Sequence, residues 1–351
     1  MMIRDLFSLT ASRPHSLKAA VAVIVLVAAV VQSTPASACD ICAIYTATEM
    51  QAVRPGLRLG VAQQYTHFGT LQNDGDEVPN PDNEFLDSSI TQFVIGYQLH
   101  PRLRLQVNLP VIARNFRRAT ETGPTKGDEN GIGDMSLIAN VLVWSHVSEE
   151  NVIRFSVQGG VKFPTGNSDR LKEEVPDDPL DLLNENFGAA GSDRGGGAHS
   201  EVPSGIHGHD LALGTGSFDS VVGGQLFATH DRYYWHTEIQ YTVRTRGSFG
   251  YEYADELTVE AGPGVFMLTR HEYTLALAAG FATETKGKDN IHGDTLDDTG
   301  ITSLYAGPAL HFTWGTSLSA EFVADFPAIL NNTALQIVPD YRLRGGLVWR
   351  F

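Results

Sequence analysis

Beyond its first residues, this sequence lacks long apolar runs and is short of positive charge. No segment after Val31 approaches about 18 consecutive apolar residues, so no transmembrane helix is expected. The chain has 25 Lys and Arg against 41 Asp and Glu, which gives a net charge of −16. Because phosphate binding needs clustered Lys and Arg, this balance excludes nucleic acid as a partner.

The sequence has only two cysteines, Cys39 and Cys42, in a single C-x-x-C motif. One such motif cannot supply four thiolates to zinc, and Ala43 stands where c-type haem attachment needs His. Three interpretations remain: a disulfide, a soft-metal or redox site, or lipidation of Cys39. The last is disfavoured because Ala36 stands where a lipidation signal prefers Leu.

Motifs of the common enzyme classes are also missing. The chain contains no G-x-S-x-G, no H-E-x-x-H and no glycine loop for phosphate. No catalytic residue and no cofactor are therefore expected. An enzyme site assembled from distant residues on a barrel stays open as an alternative.

The N-terminus has the pattern of a secretory signal over residues 1–38. Basic residues precede an apolar run from Ala19 to Val31, and an A-x-A sequence ends at Ala38. A membrane anchor is the alternative. Residues 39–56 are then expected to be a periplasmic segment that carries the C-x-x-C motif.

From residue 57 onward, short amphipathic runs alternate with turn-rich spacers. This pattern predicts an all-β fold, an antiparallel transmembrane β-barrel of about twelve strands, with ten and fourteen as the neighbouring even counts. A β-sandwich is the alternative. The predicted strands are 57–68, 89–99, 102–112, 134–144, 151–163, 217–229, 232–243, 256–268, 272–282, 300–312, 316–326 and 340–351.

The spacers alternate between short and long, as in bacterial outer-membrane barrels with short periplasmic turns and long external loops. The longest predicted external loop is 164–216, and the last long spacer is 327–339. The final strand ends at Phe351, with Trp349 and Leu347 on the same face. A terminal aromatic strand of this kind predicts the assembly signal of an outer-membrane barrel, with Phe351 as its last residue.

Polar positions on the strands predict the lumen face. Its basic members form a predicted basic wall: Arg58, Arg102, Arg104, Arg154, Arg342, Arg344 and Arg350. Its acidic members form a predicted acidic wall: Glu238, Glu260, Glu321 and Asp325. Opposed walls favour an open polar pathway for solutes, whereas ion pairs between them favour a plugged barrel.

The longest spacer contains a histidine pair. His207 and His209, followed by Asp210, could bind a transition metal. A solvated Gly- and His-rich loop is the favoured interpretation. The acidic stretch that begins at Glu173 and Glu174 is likewise expected to be solvated.

Four short junction motifs, three of which contain glycine, resemble those of a known family. They are GIGD at 131–134, KFPTG at 162–166, LGTGSFD at 213–219 and YADEL at 253–257. In order and placement they resemble the outer-membrane transporter family labelled for the MetA-pathway of phenol degradation. The resemblance covers roughly residues 57–351 and implies a barrel that passes small molecules, aromatic compounds among them. The C-x-x-C segment and the insertion at 164–216 depart from the family pattern.

Together these features predict a bacterial outer-membrane channel or transporter for small solutes, exported through a cleaved signal peptide. A metal- or redox-associated barrel, an outer-membrane enzyme and a plugged structural barrel are the alternatives. The expected partners are outer-membrane lipid and lipopolysaccharide, the outer-membrane assembly machinery and a small-molecule solute.

Overall fold

The computed structural model describes residues 56–175 and 204–351, which form a closed antiparallel β-barrel of twelve strands. Each strand pairs with its neighbours along the chain, and the last strand pairs with the first to close the barrel. The predicted signal peptide and the Cys39–Cys42 motif lie outside the described residues. The strands are β1 Gly56–Asn73, β2 Phe85–His100, β3 Leu103–Arg118, β4 Ser136–Val147, β5 Asn151–Lys162, β6 Asp219–His230, β7 Tyr233–Val243, β8 Glu256–Thr269, β9 Tyr273–Lys286, β10 Ile301–Trp314, β11 Leu318–Asn332 and β12 Leu335–Arg350.

Alternating side chains explain why these segments form a barrel wall. In β2, Ile90 and Val94 face inward and are buried, whereas Phe93 and Ile95 face outward and are about half exposed. Strand geometry sends successive side chains to opposite faces, so one period-two pattern builds an apolar exterior and a filled interior. Among residues 56–175 and 204–351, no helix is long and apolar enough to cross a membrane.

All twelve predicted strands are present, and the five short turns lie at one end of the barrel. The prediction of a long final spacer at 327–339 is wrong. β11 continues to Asn332 and β12 begins at Leu335, so only two residues connect them. Pro327 and Pro339 are the first and last residues of the predicted spacer. Each lies at a register shift with its neighbouring strand, where a missing N–H is tolerated.

The seam between β11 and β12 is paired along only part of its length. Its register runs from Leu318–Trp349 to Asp325–Arg342. Over residues 326–332 and 335–341, each strand instead pairs with its other neighbour, β10 or β1. The barrel wall therefore has a split at the long-loop end of this seam.

Residues 204–218, which we call the inward segment, pack inside the long-loop end of the barrel. They include the short helix α1, Gly208–Leu211. Ile206 and Leu211 are buried in one apolar cluster with Leu71, Phe116 and Ile337 of the barrel wall. The expectation of a solvated loop is therefore wrong for this part of the 164–216 spacer.

Candidate functional site

Two charged side chains of the barrel hold the inward segment in place. The buried carboxylate of Glu84 accepts hydrogen bonds from the Ser204 hydroxyl and, at 3.1 Å, from the Gly205 N–H. Arg114 projects inward from β3 and donates to the backbone carbonyls of Asp210 and, at 3.0 Å, of Ala212. Both anchoring side chains are buried and charged. If the inward segment moved away, Glu84 and Arg114 would lose these hydrogen bonds and would need new partners.

Gly205 lies where the inward segment meets the split in the wall. Its carbonyl accepts a hydrogen bond of 2.9 Å from the N–H of Ile337 on β12. A Cβ at this position would stand 2.3 Å from Leu71 and 2.8 Å from the Ile337 nitrogen. Only glycine therefore allows the segment to approach the wall this closely.

A row of alternating buried charges runs around the wall beside the inward segment. Lys162 on β5 bridges Asp134 at 3.0 Å and Asp219 at 2.8 Å. Arg244 then bridges Asp219 at 3.0 Å and Glu256 at 2.9 Å. We call this row the charge ladder. Thr215 of the inward segment donates its N–H and its hydroxyl to Asp134, so the ladder also fixes the segment.

The four junction motifs of the sequence supply most of the charge ladder. Each of the four junctions supplies one ladder residue: Asp134, Lys162, Asp219 and Glu256. The glycines let neighbouring backbones approach, since a Cβ at Gly166 would lie 2.5 Å from the Leu213 carbonyl oxygen. Arg244 was missed because it lies outside these motifs.

The lumen below the inward segment contains a cavity of about 120 Å³ that is lined by both polar and apolar side chains. Glutamine side chains of β1, β2 and β7 line it, and so do Glu238, Glu260, Glu321 and Arg344. Ile90 lies in its wall and also packs against Leu213 of the inward segment. Through Ile90, the inward segment therefore packs against the wall of this cavity without lining it.

A second cavity of about 70 Å³ lies toward the short-turn end. Arg102, Arg104 and Arg154 line it, and Glu238 and His236 line both cavities. Arg102 lies in the turn before β3 and is exposed, whereas Arg104 is buried. Arg58 lies opposite Arg350 in the β1–β12 pairing, also near this end.

The predicted basic and acidic walls are not separate. Arg342 forms ion pairs with Glu284 and, at 3.2 Å, with Asp325. Arg344 forms ion pairs with Glu260 and, at 2.8 Å, with Asp325. These contacts join β12 to β8 and β9 across the lumen because the barrel is narrow enough for side chains to meet. Glu284 was missed because the predicted strand ended at residue 282.

Aromatic and histidine side chains occupy the lumen near the second cavity. Tyr234 contacts Phe266 at a ring-centroid distance of 5.1 Å and His311 at 6.2 Å. His236 and His311 lie 6.3 Å apart edge to face. A Cβ at Gly264 would lie 2.1 Å from the Tyr234 ring, so this glycine makes room for the inward-facing tyrosine. The lumen thus combines ionic and aromatic surfaces.

The structure brings His207, His209 and Asp210 together at the long-loop end. His209 is buried, and its Nδ1 lies 3.0 Å from Glu174. Burial opposes charge on this imidazole, but the attraction of Asp210 and Glu174 outweighs it and raises the pKa of His209 to about 10. Burial likewise opposes charge on Glu174, yet His209 lowers the pKa of its carboxyl to about 2. The expectation that Glu174 is solvated is therefore wrong.

Comparisons with known proteins support the fold. No family model and no curated protein matches the sequence. An outer membrane channel from Pseudomonas putida F1 aligns with a TM-score of 0.57 at 14% identity, over 88% of this chain and 100% of that chain. The β domain of the Bordetella autotransporter BrkA gives a TM-score of 0.42 at 8% identity, over 85% of this chain and 100% of that chain.

A third solved structure is the CymD monoaromatic hydrocarbon channel. It gives a TM-score of 0.35 at 8% identity, over 85% of this chain and 89% of that chain. The BrkA and CymD alignments both have TM-scores below 0.5 and therefore indicate only a general similarity. The closed antiparallel barrel of twelve strands and its match to the Pseudomonas channel show that this chain has the fold of an outer-membrane β-barrel.

Proposed function

We propose that this barrel is a bacterial outer-membrane channel for small solutes that have an apolar or aromatic body. The observation that carries the proposal is the pair of cavities in the lumen, which share His236 and Glu238 as lining residues. A barrel with a purely structural role has no need of internal space. In outer-membrane barrels, a polar interior surface of this kind forms a path for solutes.

The mixed character of the lumen suggests the class of solute. Tyr234, Phe266 and His311 offer ring faces and edges against which an aromatic solute can stack. Arg344 and the glutamine side chains supply donors for one polar group on the same molecule. A small amphipathic aromatic compound fits both surfaces.

The split seam suggests an additional route for apolar solutes. Its last paired position is Asp325–Arg342, and the strands beyond that position carry no ladder between residues 326–332 and 335–341. Phe326 and Ile329 are more than half exposed beside the split. An apolar molecule can pass between strands into the surrounding lipid more easily here than through a fully hydrogen-bonded wall.

A plugged structural barrel is the second candidate. The ion pairs of Arg342 and Arg344 cross the lumen, and the inward segment fills its long-loop end. Both features reduce the free cross-section. They suit a channel with small, infrequent openings as well as a barrel that is permanently closed.

Conductance in planar bilayers tests the proposal. The wild-type protein should show small discrete openings. Arg114→Gln should show larger or longer ones, because it releases the Asp210 and Ala212 carbonyls of the inward segment. Arg117→Gln is the matched control, since Arg117 lies on the same strand but faces away from Arg114.

The solute class has its own readout in the same bilayers. Benzoate should interrupt the current at concentrations where acetate, which has the same charge but no ring, does not. Silence of both the wild type and Arg114→Gln, in barrels that are folded by circular dichroism, would favour the plugged barrel. Equal block by the two anions would contradict the aromatic preference alone.

A further inference from the structure

A cluster of imidazole and carboxylate groups joins two external loops at the long-loop end. His207, His209 and Asp210 offer ligand atoms that all lie within 4.8 Å of one another. Glu174 approaches from the turn Asp169–Glu174 of the same loop, and Asp298 approaches from the turn between β9 and β10. We propose that this cluster binds a divalent transition-metal ion of borderline softness, such as Zn²⁺.

The spacing of the groups fits a metal better than it fits hydrogen bonds. His209 Nε2 lies 3.5 Å from Asp210 Oδ1, and His207 Nδ1 lies 3.4 Å from Asp298 Oδ2. Hydrogen bonds between nitrogen and oxygen are usually about 2.7–3.2 Å long. Ligands bound about 2.0–2.2 Å from a tetrahedral zinc ion are separated by roughly 3.3–3.6 Å.

One nitrogen of the cluster lacks a hydrogen-bond partner. His207 Nδ1 is buried from solvent, and it makes no hydrogen bond within the described part of the chain. An imidazole nitrogen buried without a hydrogen bond is costly, and a metal ion would remove that cost. His207 and His209 also lie nearly parallel, with ring centroids 5.6 Å apart.

The surrounding contacts orient the ligands as in established metal sites. Glu174 Oε1 lies 3.0 Å from His209 Nδ1, so this nitrogen donates to the carboxylate and Nε2 is left for the metal. A carboxylate behind a ligating histidine fixes its tautomer and raises its basicity. The backbone N–H of His207 donates to Asp210 Oδ2 at 2.9 Å, which leaves Oδ1 for the ion.

The donor set indicates the class of ion. Two imidazoles with one or two carboxylates suit zinc, copper, nickel or iron, whereas calcium and magnesium prefer oxygen ligands alone. The carboxylates of Glu174 and Asp210, 3.0 Å and 3.5 Å from the nitrogens of His209, place negative charge beside the ion. The bound ion would tie the inward segment to the β9–β10 loop and hold the long-loop end of the lumen closed. This last consequence rests on the proposed channel function, whereas the binding does not.

Zinc titration by calorimetry tests the site directly. The full chain is studied in detergent after chelator treatment, with Cys39 and Cys42 both replaced by serine so that their thiols do not contribute. One Zn²⁺ should bind per barrel. His207→Ala should weaken binding by at least a hundredfold, and Glu174→Gln by about ten- to a hundredfold because it removes the orienting carboxylate. His230→Gln, at the exposed end of β6, is the matched control and should leave the affinity unchanged.

Hydrogen exchange gives a second readout that does not depend on affinity alone. Zinc should slow exchange at the amides of residues 207–211 in the parent and in His230→Gln, and should leave it unaltered in His207→Ala. His207 is about a quarter exposed, so this substitution is expected to fold normally. Unchanged affinity in His207→Ala and in Glu174→Gln would overturn the proposal. Binding without zinc-dependent protection at these amides would also overturn it, since the ion would then lie elsewhere.

If zinc binds but does not alter conductance, the site stands and only its proposed effect on the lumen fails. If the barrel never conducts, the calorimetric result still decides whether the site exists.

Discussion

Arg344 on β12 and Glu260 on β8 form an ion pair across the lumen. Three strands separate them in the wall, so the pair follows a chord of the barrel. Arg342 makes a similar contact with Glu284 on β9, and its guanidinium also lies 4.3 Å from the centre of the Tyr305 ring. In the middle of the lumen, each of these charged side chains therefore lies within ion-pair distance of an opposite charge.

Removing the positive charge of Arg344 should make the lumen more selective for cations. In Arg344→Gln, the cavity loses one positive charge and Glu260 loses its ion-pair partner, so the reversal potential should shift toward cation selectivity and conductance should rise. Salt near 1 M should mute the shift because the screening length falls to about 3 Å. Arg246→Gln is the control, since Arg246 is largely exposed and lies outside the barrel strands. Unchanged selectivity with normal folding would mean that Glu260 is not on the solute path.

Breaking the charge ladder at one residue should destabilise the barrel. Asp219 is fully buried between Lys162 and Arg244. Asp219→Asn leaves two buried cations short of negative charge and should lower the free energy of unfolding by roughly 3–5 kcal/mol. Urea unfolding in lipid vesicles measures the change. Asp231→Asn, on an exposed turn, should change stability by less than about 0.5 kcal/mol. Equal stability of both variants would contradict the structural role of the ladder.

The long loops should face the outside of the cell. With both native cysteines replaced by serine, a cysteine at Thr122 should react with an impermeant maleimide on intact cells, because Thr122 is exposed in a long-loop connection. A cysteine at Ser148, on a short turn, should react only after the envelope is opened. Both side chains are exposed, so a difference reports topology. The reverse pattern would invert the barrel in the membrane.

Phe351 should contribute to assembly. Its N–H donates to the Leu57 carbonyl at 2.9 Å, and its ring is largely exposed on the outer face. Deleting Phe351 removes that hydrogen bond at the closing seam together with the terminal aromatic ring. It should therefore slow insertion and leave protease-sensitive protein in the periplasm.

Phe351→Tyr keeps the ring and the backbone donor and should assemble normally. Pulse-chase labelling with heat-modifiability on gels follows both variants. Assembly of the deletion variant at the wild-type rate would show that the terminal residue is not part of the signal.

The period-two pattern of the sequence was sufficient to predict the wall. The alternation of side chains at Leu103, Arg104 and Leu105 between two faces depends only on local strand geometry. The strand number is restricted as well, because a closed barrel needs an even number of strands to place both termini at one end. The strand ends were harder to predict because a strand inside a barrel continues wherever a neighbour offers hydrogen bonds. For this reason β11 continues past Pro327, and the long spacer predicted at 327–339 was wrong.

The partners of the lumen charges could not be predicted from the strands. The sequence shows that Arg344 and Glu260 face inward, but not that the barrel is narrow enough for them to meet. That distance depends on how twelve strands tilt and close, which is a property of the whole sheet.

The sequence alone determined the fold class, an approximate count of twelve strands and the alternation of side chains between two faces, because these follow from local alternation and turn chemistry. Only the tertiary structure decided that the inward segment enters the lumen, that Lys162 joins Asp134 to Asp219, and that His209 is buried against Glu174. Such contacts join residues far apart in the chain. They form only where the closed barrel leaves enough space for them, and that space cannot be predicted from a local sequence pattern.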